Sequence, residues 1–254
     1  CVGTDRRVCC SCRVGIVRMK VRVRYAKLGK VRFLSHRDLA RILERAVRRA
    51  GLPVAYSQGF SPRARLHFGL ALSTGYESLA EYFDIDLEPE HSDLPDVAQV
   101  GPLLQPCLPT GVIVDASELL ADGTPSLQDA VTSSTWEFLL PSSLHDHAVL
   151  TATEMLDATE LPVDLVRKSK QVREDLRPLL LSLEADLIPQ GSLLTVELGT
   201  KPRSVRPAEL LAAMRLPEHP LRVVRTHQWI QSDGERSEPI ELAAPSPHAS
   251  VRAS

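Results

Sequence analysis

The chain has 254 residues, of which 43% are hydrophobic, 24% charged and only 4% aromatic, the profile of a globular protein that buries a real core in one large domain or two small ones. No apolar run approaches the roughly 20 residues that cross a bilayer, and the N-terminal stretch lacks an apolar block followed by small residues; both features argue against a membrane protein and lead us to expect a cytoplasmic one. A net charge of -2 argues against a polyanion binder only until the charge is counted by segment.

From Met19 to Leu66 there are thirteen Lys or Arg against two acids, Asp38 and Glu44, a local net of +11. From His67 to Val166 there is no Lys or Arg against eighteen Asp or Glu, a local net of -18. From Arg167 to Arg215 nine basic residues face six acids. Blocks of this kind imply separate basic and acidic faces, or a basic segment docked on the acidic one of the same chain.

Four of the five cysteines, Cys1, Cys9, Cys10 and Cys12, lie in the first twelve residues, and Cys107 stands alone. This is no disulfide framework. Cys9 and Cys12 have C-x-x-C spacing, but no second pair follows at zinc-site spacing. Strand alternation begins at Met19, so residues 1–18 read as a leader outside the fold, and neither a metal nor a cofactor is expected.

Val21, Val23 and Tyr25 alternate with Arg22 and Arg24, as in a half-buried strand with its basic side wet. Ser35 reads as the N-cap of a helix from residue 36 to 50, with Asp38 at the third position and a buried stripe of Leu39, Ile42, Leu43, Ala46 and Ala50. Gly51 and Pro53 end it. Arg37, Arg41, Arg45 and Arg48 recur at spacings of three and four on the opposite face, a mildly repulsive arrangement that helix stability does not require. Gly59 is expected at positive φ, with Phe60 buried under its loop. Leu66 to Leu72 and Phe83 to Leu87 form a hairpin, a helical piece spans roughly 94–104, and "GVIVDA" supplies a fourth strand. The order β, α, β, β, α, β is that of a ferredoxin-like sandwich.

Residues 121–134 read as a linker, after which the order repeats. Trp136, Phe138 and Leu140 alternate in a strand; an amphipathic helix covers roughly 143–157; "LPVDLVR", "LLLSLEA" and "LLTVELG" are strands; "PAELLAAM" is a helix with Pro207 at its first turn; and "LRVVRTHQWI" closes. The expected fold is therefore α+β, two ferredoxin-like halves with antiparallel sheets, 19–120 and 135–230, the second with an extra strand. A disordered tail is expected over 231–254.

The run Arg32, Phe33, Ser35, His36 and Asp38, the run Arg45 to Pro53, and Tyr56 to Phe60 resemble the radical SAM-linked proteins, a domain of unknown function found fused to radical SAM enzymes or encoded apart from them. The resemblance extends more weakly to about Trp229. It implies a radical SAM enzyme as partner. Many relatives carry His and Pro after the Gly-Phe loop, where this chain has Arg63 and Ala64. The chain itself lacks the usual three-cysteine spacing of a radical SAM cluster.

Two readings of the first half compete. Ser35, His36 and Asp38 invite a nucleophile and base, making the chain a small enzyme. Alternatively, a helix start carrying His36 and Arg37 beside Arg32 is an anion site, which Arg41, Arg45, Arg48, Arg63 and Arg65 extend into a surface for RNA or another polyanion. A third reading makes the chain a protein adaptor docking through its acidic middle. Arg167, Lys168 and Lys170 at a hairpin tip, with Lys201, Arg203 and Arg206 before Pro207, form a weaker basic patch. There is no G-x-x-x-x-G-K-[ST], G-x-G-x-x-G or H-E-x-x-H, so nucleotide hydrolysis, dinucleotide binding and zinc proteolysis lack support.

Overall fold

A computed structural model describes residues 19–88, 95–167 and 170–242. The first half begins with β1 (Met19–Lys27), followed by α1 (His36–Arg49), a short β2 (Leu66–Phe68), β3 (Glu77–Leu87), α2 (Val97–Leu104) and β4 (Val112–Leu120). Their order across the sheet is β4-β1-β3-β2, the ferredoxin-like arrangement. Val21, Val23, Phe83 and Ile85 point to the side covered by the helices. They meet Leu39, Leu43, Ala46 and Val47 of α1, with Val100 and Leu104 of α2, in one core. Ile42 is only half-buried and Val47 takes its expected place in the stripe.

The second half opens with a helical turn, α3 (Leu127–Ala130), and continues through β5 (Val131–Leu140), α4 (His145–Asp157), β6 (Pro162–Arg167), β7 (Lys170–Asp175), β8 (Leu180–Ile188), β9 (Gly191–Gly199), α5 (Pro207–Met214) and β10 (Arg222–Ser232). The order β10-β5-β9-β8 repeats that of the first half. β6 and β7 form the insertion, a separate two-stranded ribbon. Trp136, Phe138 and Leu140 pack with Ala148, Ala152, Leu194, Val196 and Leu210 in a second core.

The two halves do not keep separate sheets. β10 pairs in parallel with the start of β3, Val224 opposite Glu77 and Arg225 opposite Ser78, and joins everything but the ribbon into one nine-stranded sheet. The edge of β3 is thus shared, β10 taking its beginning and β2 its end. This is why the expected strand through Leu72 stops at Phe68: beyond it the chain leaves the edge, and Leu72 enters the second core.

Three further expectations are corrected. Arg22 and Arg24 are not on a wet face but 2% and 3% exposed, because the far side of β1 and β3 is covered in turn. The expected linker covers part of it: Ser126 caps α3 by accepting from the Asp129 N–H at 3.3 Å, and Leu127 is buried against Ala80 and Tyr82. Residues 231–242, the first part of the tail expected to be disordered, cover the rest. Asp233 and Gly234, at φ 52° and 85°, turn the chain into β11 (Glu235–Ser237), which pairs with β10, and Ile240 is buried beside Tyr82. Residues 1–18, with their four cysteines, and 243–254 lie outside the described residues.

Candidate nucleic-acid interface

The site is built around the outer face of α1. Ser35 accepts a hydrogen bond from the Asp38 N–H at 3.2 Å and donates one to Asp38 Oδ2 at 2.7 Å, so both side chains work as the helix cap. The His36 ring packs edge-on against Phe68, 5.4 Å between centroids. No hydrogen bond joins Ser35 to His36 among the described residues, and the three side chains form no relay.

Lys27 fixes the turn ahead of the cap. It is 1% exposed and donates to the Leu34 carbonyl at 2.9 Å and the Arg32 carbonyl at 3.5 Å. Burial holds its ammonium below the ordinary lysine range; Glu81 opposes that and Arg225 adds to it.

Arg37, Arg41, Arg45 and Arg48 are all exposed along about 20 Å of helix. Arg41 meets Asp38 at 3.5 Å in a solvent-exposed pair, worth little in water. Among the described residues Arg37, Arg45, Arg48 and Arg63 make no ion pair. Two of the expected cations are partly engaged: Arg65 lies 3.1 Å from Asp86 and Arg32 3.6 Å from Glu77. Those acids belong to β3, where Glu77, Glu81, Asp84 and Asp86 are buried, so this part of the acidic segment serves internal pairing and does not face outward.

The loop after α1 runs back alongside it. Tyr56 forms a bridge with Ala64 and lies under the Arg48 guanidinium, 5.7 Å from its ring centroid, while Phe68 lies at the other end beside His36. Arg63 is held next to Ser57 by hydrogen bonds in both directions, 2.9 and 3.0 Å. It therefore extends the patch from the C-terminal end of α1 and not from its start.

Gly59 has φ 138°, the conformation its sequence context implies, but Phe60 is not buried: it stands fully exposed at the loop tip. Phe33 is 62% exposed, with the Arg32 guanidinium 4.7 Å over its ring. Exposed aromatic rings thus bracket the arginine row, Phe33 at one end and Tyr56 with Phe60 at the other. The sequence reading missed this because it placed Phe60 under the loop and gave Phe33 no role of its own. Their neighbours Gly59, Ser61 and Pro62, and the charged Lys30 and Arg32, were the available signal.

The weaker second patch is engaged in part. Arg203 pairs with Glu174 and Glu209, and Lys201 donates to the Asp129 carbonyl. Arg206 and Lys170 stay exposed, and the Arg167 and Lys168 side chains lie outside the described residues. Among the described residues no three His, Cys, Asp or Glu side chains gather closely enough to hold a metal ion, and no helix is long and apolar enough to cross a membrane.

A search of curated proteins returns no match for the chain. A family model described as an uncharacterized protein conserved in bacteria (DUF2344) matches residues 20–207, which takes in β1 from its second residue, the arginine row and the aromatic loop, and ends at the first residue of α5, short of β10. The chain is a member of that bacterial family.

Proposed function

We propose that the chain is a non-catalytic, cytoplasmic binding module for single-stranded RNA that works beside a radical SAM enzyme. The observation that carries the reading is the row Arg37, Arg45, Arg48 and Arg63, without carboxylate partners among the described residues, bracketed by the exposed rings of Phe33, Tyr56 and Phe60. Arginines follow a phosphate backbone, and exposed rings give unpaired bases a surface for stacking, at about 1–3 kcal/mol per base. Arg32 over Phe33 and Arg48 over Tyr56 add guanidinium planes to the same surface.

The radical SAM partner rests on the resemblance of the Arg32 to Asp38, Arg45 to Pro53 and Tyr56 to Phe60 runs. Capturing the chain from its native cell and identifying the bound RNA and protein checks both halves of the proposal. Fluorescence anisotropy with a labelled single-stranded oligoribonucleotide and its duplex tests the site: the single strand binds more tightly, and equal binding, or none, removes the stacking reading.

A further inference from the structure

A further feature is found where the two halves meet through β3 and β10, lined by none of the arginines of α1. A cleft of about 510 Å3 opens there, walled by residues 70–74 on one side and 204–207 on the other, with Ser134, Trp136 and Arg225 contributed by β5 and β10. This volume is within the range of small-molecule sites. Its polar lining is one-signed: hydroxyls from Ser73, Thr74 and Ser134, guanidiniums from Arg206 and Arg225, and no Asp or Glu.

Arg225 is the telling residue. It is 2% exposed and lies over the Trp136 ring, 5.3 Å from its centroid. Nε and Nη2 both donate to one oxygen of Glu81, and Nη2 also donates to the Leu70 carbonyl at 3.0 Å. Nη1 makes no hydrogen bond to any described residue. Arg225 lines a cleft whose other charged group, Arg206, is also cationic. Glu81 balances Arg225 from outside the cleft lining, which leaves Arg206 as the uncompensated charge.

We infer that this cleft binds a small organic phosphate, the phosphate between Arg225 Nη1, Arg206 and the hydroxyls, and the organic part in the remaining volume. Guanidinium forks suit phosphate oxygens, and inorganic phosphate alone would leave most of the cleft unfilled.

The test uses the Trp229→Phe variant, in which Trp136 is the remaining tryptophan of the chain's two and reports on the cleft. Titration with uridine monophosphate should give a saturable fluorescence change, inorganic phosphate should bind more weakly, and uridine should give no response. Arg206→Gln should weaken binding about tenfold or more, and Ala71→Phe, at an exposed lining position, should abolish it, both with unchanged melting. No saturable response up to roughly 10 mM, a uridine response equal to that of the monophosphate, or binding unaffected by both substitutions would overturn the assignment. RNA binding by the arginine row is not involved, so the two sites fail or stand separately.

Discussion

Arg22 and Asp84 stand 62 residues apart in sequence and directly opposite each other on β1 and β3, joined by two parallel hydrogen bonds of 2.8 and 3.0 Å with both side chains 3% exposed. Removing one member of such a buried pair strands a charge, whereas replacing both with apolar groups of similar size is often tolerated. Asp84→Ala should therefore lower stability in denaturant unfolding by about 3–5 kcal/mol, and the double replacement Arg22→Met with Asp84→Leu should recover most of it. A double variant as unstable as the single one would show that the loss comes from packing and not from charge.

The core of the first half gives a graded prediction. Leu43 is 1% exposed, while Ile42 is half-buried. Leu43→Ala should cost about 2–5 kcal/mol, and Ile42→Ala clearly less. Equal losses in urea unfolding would mean that α1 sits rotated about its axis from the position described.

The C-terminal segment should behave as part of the fold. Glu238 pairs with Arg24, whose guanidinium also reaches the Ile240 carbonyl at 3.3 Å. Burial raises the Glu238 carboxyl above the ordinary glutamate range, although Arg24 opposes the rise. At pH between the ordinary glutamate value and this raised one, the folded chain holds a proton that the unfolded chain has released. Stability is gained as pH falls from neutral into the ordinary glutamate range and lost as pH rises through the elevated value. Glu238→Gln should flatten that slope in melting curves recorded across acidic pH, and ending the chain at Ser237 should lower the melting temperature by uncovering Tyr82 and Arg24. A melting temperature unchanged by that truncation would restore the disordered tail.

The alternation of β1 and the cap at Ser35 were legible because each is a local pattern of a few residues. The burial of Arg22 and Arg24 was not, since it depends on which strand lies alongside. Even so, Tyr82, Asp84 and Asp86 alternate in the sequence in the matching way, and an antiparallel register sets Lys20, Arg22 and Arg24 opposite Asp86, Asp84 and Tyr82. The hairpin of β10 and β11 had its own local signal in Asp233-Gly234, a dipeptide suited to two successive residues at positive φ, outweighed in the reading by the Ser, Pro and Glu content around it. The seam between β3 and β10 had none: two residue pairs separated by nearly 150 positions leave no periodicity to read. Half of the candidate site followed the same division. The arginine row repeats at helical spacing and was visible, whereas the exposure of Phe60 is set by a loop that folds away from the core.

The aromatic bracket carries its own prediction. Phe60 is fully exposed and supports no packing, so Phe60→Ser should leave melting unchanged and weaken single-stranded RNA binding by about 1–3 kcal/mol, five- to more than a hundredfold, with little effect on the salt slope. Weaker binding that came with a reduced slope would assign Phe60 to holding the loop's arginine in place.

The most direct test of the central claim is salt-titrated binding of single-stranded RNA by the Arg41→Gln, Arg45→Gln double variant beside the parent chain, with melting recorded for both. Both arginines lie on the exposed face of α1, so the fold should be unaffected, affinity should fall, and the log-log salt slope should shrink by about 0.7 for each phosphate contact removed. A double variant with lower stability and an unchanged salt slope, or a parent chain with no salt-sensitive RNA binding, would contradict the account.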